Sequence, residues 1–213
     1  MVSGWVQRDA NTAALLCIAG GIADAIGYVQ SGVFAANMTG NTVLTGASLA
    51  NGEFAVAIER ASTFLTFFGG AMLGRLSLRF AKSARLPLLV EALILCASSF
   101  IAPPSLTVLC IAFAMGIQAT AITKFKGAAI STIVLTSTLA RLAEATLDFF
   151  ARHEIFAAPS QKNPAALLAI TWVAYAAGAV IAVLLLKISS AALLAAAGII
   201  LLVSFASSRE GRV

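Results

Sequence analysis

Apolar residues run along this chain in long blocks instead of alternating with polar ones. Six blocks, at residues 12–30, 61–80, 86–102, 105–123, 165–186 and 189–206, reach 17 to 22 residues each. An α-helix rises 1.5 Å per residue, so about 20 residues cross a hydrocarbon core of ~30 Å. The pattern therefore predicts six transmembrane helices. Pro103-Pro104 breaks the chain between the third and fourth, where neither residue can continue a helix with a normal hydrogen-bond ladder.

Two further stretches, residues 38–50 and 130–147, are apolar but rich in Thr, Ser, Gly and Asn. The first is too short to span a bilayer upright. Either both are extra spans, making eight crossings, or both are re-entrant half-helices, making six. Charge decides between these. With six spans and both termini inside, the cytoplasmic face holds Arg8, Arg75, Arg79, Lys82, Arg85, Lys124, Lys126, Arg152, Lys162, Arg209 and Arg212. Only Arg60 and Lys187 then stay outside, with Arg141 inside the second short stretch. Eight spans split the basic residues almost evenly. Cytoplasmic loops carry the excess of Lys and Arg, so six spans plus two half-helices is the expected arrangement.

The two halves of this single transmembrane domain (1–213) also match in order, over about 12–102 and 105–206. Gly21-Ile22-Ala23-Asp24-Ala25 pairs with Gly116-Ile117-Gln118-Ala119-Thr120, and Met38-Thr39-Gly40-Asn41 with Leu135-Thr136-Ser137-Thr138. The segment from Phe64 parallels that from Trp172, and Leu88-Leu89 parallels Leu193-Leu194. The offsets are 95, 97, 108 and 105. Three spans per half would invert the second half, the recurring plan of secondary transporters. The expected fold is thus an all-α membrane protein, six transmembrane helices plus two re-entrant half-helices, built as an inverted repeat.

Composition agrees with a bilayer setting. The chain is 60% hydrophobic and 11% charged, against roughly 25% charged in a soluble domain. Mean hydropathy is +0.97. The pI near 9.5 reflects basic residues spread between apolar blocks, which speaks for topology signalling and against a nucleic-acid partner. Cys17, Cys96 and Cys110 all lie in apolar blocks and His153 is the single histidine, so neither a disulfide framework nor a metal set is expected. The first block has Arg8 and Asp9 ahead of it and a poor cleavage site at Ala23-Asp24-Ala25, so it reads as a span and not as a signal peptide.

Candidate chemistry gathers at few positions. Asp24 sits midway along the first span, where an acid costs about 2.5–3.5 kcal/mol on insertion scales and usually faces a cavity or a partner. It shares a face with Gly20, Gly27 and Ser31. Thr39, Gly40, Asn41 and Thr42 stand where the first half-helix would begin, with Ser, Thr and Asn suited to cap free amides. That end would point its amides at an anion or at Asp24. Thr136, Ser137 and Thr138 are the counterparts in the second half, and Gln118 lies beside the position equivalent to Asp24. Glu91 is expected to pair with Arg75, Arg79 or Arg85. Gly70 and Gly74 form a GxxxG step expected to pack helices within the bundle.

Together, Gly21-Ile22-Ala23-Asp24-Ala25, Met38-Thr39-Gly40-Asn41-Thr42-Val43, Met115-Gly116-Ile117-Gln118 and Thr138-Leu139-Ala140-Arg141-Leu142-Ala143-Glu144 resemble the YoaK-like family of bacterial membrane proteins, which is defined by a domain of unknown function. The resemblance covers nearly the whole chain and implies a bacterial inner-membrane location. Ala119 replaces an Asn usual in that family, and Ser137 a Gly. The functional expectation is a secondary transporter of a small polar or anionic solute, proton-coupled through Asp24. The alternative is a non-transporting scaffold or partner subunit. An enzyme is not expected, since no acid–base pair, Ser-His pair or HExxH string is present. No cofactor is expected, and self-association into a homo-oligomer stays open.

Overall fold

A computed structural model describes residues 2–81, 83–101, 103–121, 139, 140, 142–144, 146, 147 and 165–207. Among them every regular element is a helix. These are α1 (Val2–Ser31), α2 (Met38–Ala50), α3 (Phe54–Ala81), α4 (Arg85–Ser98), α5 (Pro104–Ala121), α6 (Ala165–Leu186) and α7 (Leu193–Ser207). Three segments, Ala10–Ser31, Pro104–Ala121 and Ala166–Leu186, are long and apolar enough to cross a membrane, and Leu193–Ala206 is apolar but shorter. Of the second short stretch, only residues 139, 140, 142–144, 146 and 147 are described, and they are helical.

Helix α2 spans residues 38–50 and α6 spans 165–186, as the pattern predicts. Other boundaries differ, beginning with α1, which starts at Val2, ahead of the block at 12–30. The block at 61–80 belongs to a helix that begins at Phe54, because a helix backbone continues through charged residues such as Glu59 and Arg60 where an apolar run stops. The block at 86–102 ends at Ser98. Beyond it, Ser99, Phe100 and Ile101 each donate to the carbonyl three residues back, a tightening that precedes the two prolines. The block at 189–206 becomes helical only at Leu193, since Ser189 Oγ accepts the Ala191 amide and holds a turn.

Leu16, Ile22 and Ile26 of α1, Leu88 and Leu95 of α4, Ile111 and Met115 of α5 and Ile200 of α7 form the buried centre. The opposite faces are apolar and bare. Leu65, Phe68, Met72 and Leu76 make an exposed stripe on α3, and Val173, Val180 and Leu184 are exposed on α6. Stripes of this size suit lipid, not water.

Small residues bring the backbones together at two places. A Cβ on Gly116 of α5 would strike the Phe67 carbonyl and the Ala71 amide of α3, and one on Gly70 would strike Phe113. A Cβ on Gly21 of α1 would strike the Tyr175 carbonyl and the Ala179 amide of α6, and one on Gly178 would strike Ile18. The second set of contacts is the first shifted by 95 on one helix and 108 on the other. Gly74 lies against Ile117 and Thr120, so the GxxxG step of α3 packs inside the bundle and α3 runs parallel to α5. By contrast α1 and α5 are antiparallel, for Leu16 is level with Gln118 while Gly27 is level with Val108. Arg85, which opens α4, lies over the ring of Phe205 near the end of α7, so these two helices are antiparallel as well.

Candidate functional site

The site begins where α1 stops. Gly32 has φ 69° and its amide donates to the Tyr28 carbonyl at 2.8 Å. This left-handed cap is open to Gly at no steric cost, and it turns the chain back along α1. Phe34 then stacks on Tyr28 with ring centroids 4.5 Å apart. Two residues further, the chain has come level with Asp24, nearly two helical turns before the end of α1.

There the Asp24 carboxylate takes three donors. Oδ1 accepts from the amides of Ala36 at 2.7 Å and Asn37 at 3.3 Å, and Oδ2 accepts from the Tyr175 hydroxyl at 2.6 Å. Asp24 is 5% exposed. Bonds to an ionised acceptor are shorter and stronger than neutral ones, and the low-dielectric surroundings strengthen them further.

Asn37 caps α2, its Oδ1 accepting from the Gly40 amide at 2.9 Å. Asn41 then ties the loop down. Its Nδ2 donates to the Phe34 carbonyl at 2.7 Å and to Thr63 Oγ1 at 3.0 Å, while its Oδ1 accepts the Phe34 amide at 2.9 Å. Asn41 is one turn into α2 yet level with Phe34, so α2 travels back the way the loop came. It then pairs with α3 as a hairpin, where Arg60 donates to the Leu44 carbonyl at 2.9 Å and also to Ser48 Oγ. The hairpin turn is a Schellman motif at Gly52 (φ 76°), with the Glu53 amide on Ser48 and the Gly52 amide on Leu49.

The residues singled out in the sequence thus separate. Asp24 and Asn41 meet the same loop from two sides. Gly40 is packed against the Asn37 side chain and the Phe34 ring, without room for a Cβ. Thr39 and Thr42 are exposed on the outer face of α2, and Thr42 Oγ1 donates to the Met38 carbonyl. Gln118 is buried elsewhere, its Nε2 donating to the Leu16 carbonyl at 3.0 Å, two turns along α1 from Asp24. Thr136, Ser137 and Thr138 lie outside the described residues. The donors to Asp24 are the loop amides just before α2, whereas the sequence pointed to the first turn of the helix. The first turn is partly taken by Asn37 itself.

Glu91 does not pair with Arg75, Arg79 or Arg85. It faces inward on α4 with 0% exposure, and among the described residues no donor reaches either carboxylate oxygen. Arg75 and Arg79 sit on the exposed face of α3.

Tyr175 is the residue the sequence reading missed. The available signal was the pair of offsets between the two halves: Phe67 lines up with Tyr175 at offset 108, as Asp24 lines up with Ala119 at offset 95. A hydroxyl added to an otherwise apolar span, and an acid in the opposite half, are natural partners, because a buried Tyr OH finds an acceptor.

No solved structure matches this chain. It is 37% identical over 143 residues to the UPF0700 transmembrane protein YoaK of Bacillus subtilis (strain 168), covering 61% of this chain and 64% of that protein's length. The membrane setting read from the helices is therefore shared with a named transmembrane relative, and the bilayer is the medium its bare apolar faces contact. A family model described as a protein of unknown function (DUF1275) matches residues 12–206; with the fold-back loop and both glycine contacts inside that range, the chain belongs to this YoaK-like membrane family.

Proposed function

We propose that this protein is a secondary transporter of a small polar solute, built as an inverted repeat and coupled to protons through Asp24. The observation that carries the reading is the double engagement of Asp24. One carboxylate oxygen holds the loop of the N-terminal half, and the other holds Tyr175 in the C-terminal half. Adding a proton to the carboxylate removes its charge and weakens all three bonds. The grip between halves would then depend on the protonation state, which is what proton-coupled alternation needs.

Three further features support the architecture. The equivalent helices α1 and α5 are antiparallel, and so are α4 and α7. The two glycine contacts repeat with the sequence offsets. Loop 32–37 goes down beside α1 and α2 returns packed on α3, the course of a re-entrant segment whose irregular backbone is covered by protein. In this reading the protein sits in the bacterial inner membrane with both termini cytoplasmic, catalyses no reaction and uses no cofactor. The amides near Asp24 are already taken by its carboxylate, so a neutral polar solute fits better than an anion.

Proteoliposomes carrying a pH-sensitive dye test this. A panel of small sugars, amides and amino acids should include one that drives saturable internal acidification, and Asp24→Asn should abolish the coupling while circular dichroism stays unchanged. Coupling that persists in Asp24→Asn removes Asp24 from the mechanism. Absence of saturable flux for every solute, in folded protein, leaves the scaffold or partner-subunit reading instead.

A further inference from the structure

Helix α3 has two contrasting faces. Gly70 and Gly74 press one of them onto the backbone of α5. The opposite face is the exposed stripe of Leu65, Phe68, Met72 and Leu76, which recur at i, i+3, i+7 and i+11. The next position of that series, i+14, is Arg79, and Arg75 stands one turn before it on the flank of the stripe. Both arginines are exposed. A groove of about 600 Å³ runs over this part of the helix, lined among the described residues by Ala71, Met72, Leu73 and Leu76 and ending at Arg75 and Arg79.

The length of the stripe is that of one leaflet. From Leu65 to Leu76 it rises about 16 Å at 1.5 Å per residue, and half of a ~30 Å hydrocarbon core is about 15 Å. An acyl chain laid along it from the bilayer midplane ends where the guanidinium groups begin. The apolar stems of the two arginines continue that surface, with their charged ends at headgroup depth.

Within the protein these charges are unanswered. Among the described residues neither guanidinium forms an ion pair. Glu59, the acid of α3, lies 16 positions before Arg75, about 24 Å away along the helix, and Glu91 faces the interior. The dipole at the C-terminus of α3 favours a cation in the last turn, where Arg79 stands, but it fades before Arg75. Two guanidinium forks one turn apart match the oxygens of a phosphate. Fixed positive charge at a membrane surface selects anionic lipid over zwitterionic lipid.

We infer that this end of α3 is a binding site for a diacyl anionic phospholipid, its phosphate held between Arg75 and Arg79 and one acyl chain laid along Met72, Phe68 and Leu65. The inference rests neither on transport nor on Asp24. Purified full-length protein in a neutral detergent, titrated with dioleoyl phosphatidylglycerol, dioleoyl phosphatidylcholine or glycerol 1-phosphate, tests it, with bound lipid counted by native mass spectrometry and the Tm read in parallel. Phosphatidylglycerol should stay bound and raise the Tm by several degrees, while phosphatidylcholine and glycerol 1-phosphate do neither. Arg75→Gln and Arg79→Gln should each weaken binding about fivefold and together about 25-fold. Met72→Gln, which places an amide in the stripe without altering charge, should weaken it as well. Arg85→Gln should leave it unchanged, because that guanidinium lies over the Phe205 ring.

The two arginines are exposed, so their Gln variants keep the fold, which circular dichroism verifies. Equal retention of phosphatidylcholine overturns the inference, since the headgroup then selects nothing. Equal stabilisation by glycerol 1-phosphate does so too, by removing the acyl chain from the site. An equal loss in Arg85→Gln means that net charge acts in place of a site. A lipid-free dimer that the double Arg75→Gln and Arg79→Gln variant dissociates would show a second copy of the chain on this face instead.

Discussion

Asp24 and Glu91 are two buried acids in one apolar bundle, and they are held in opposite ways. Asp24 accepts from two amides and a hydroxyl on two other segments. Glu91 accepts from no described residue. Both belong to the N-terminal half, and the residues 95 and 105 positions further on, Ala119 and Ala196, are apolar and small. The difference teaches that burial alone does not define a role for an acid. A satisfied carboxylate joins elements, and removing it leaves several groups stranded. An unsatisfied one strains the fold, and removing it relieves the strain.

The sharpest way to break the comparison is to replace each acid by an apolar residue of similar size. Asp24→Leu strands the Tyr175 hydroxyl and two loop amides, so it should destabilise by about 3–5 kcal/mol, the usual result of taking one partner from a buried charged group. Glu91→Met should do the reverse and stabilise by about 1–4 kcal/mol, as hydrophobic replacement of poorly paired buried charges often does. Chemical or thermal unfolding in a defined detergent reads both. If the two variants shift stability in the same direction, the distinction between the acids is wrong.

Asn41→Leu tests whether the loop is what makes Asp24 satisfied. It removes the acceptor and donor that clasp the Phe34 peptide, leaving buried backbone groups unpaired at about 1–3 kcal/mol. Amide hydrogen exchange should quicken at Ala36 and Asn37 in this variant. Unchanged exchange there would mean that the loop is held by Asp24 alone. Tyr175→Phe has the smallest expected effect, about 0.6–1.7 kcal/mol, in the range measured for hydrogen bonds between membrane helices. It should leave the Ala36 amide protected, because Asp24 Oδ1 still engages it.

Much of this contrast was legible before any coordinates. Asp24 stood out because an acid in an apolar block is expensive, and the Asn37-to-Thr42 string announced a helix start. Asn37 does cap α2, and Asn41 does contact the approach loop. Glu91 was read from its neighbours in sequence, Arg75, Arg79 and Arg85, and that pairing does not form. A helix projects residues 100° apart, so nearness along the chain says little about which way a side chain points. Thr39 and Thr42 illustrate the same limit: their composition is that of a site, yet they face outward on α2.

By itself the sequence determined that this chain is helical and belongs in a membrane, where its main helices lie, and which few polar groups are buried at a cost. Those properties follow from local quantities, the length of an apolar run and the price of a charge in it. Only the tertiary structure decided that Tyr175, 151 residues away, satisfies Asp24, that loop 32–37 folds back to offer its amides, and that Glu91 meets no donor among the described residues. These depend on which helix faces are pressed together. That choice is made by backbone contact at Gly21, Gly70, Gly116 and Gly178, through packing that no local pattern of hydrophobicity encodes.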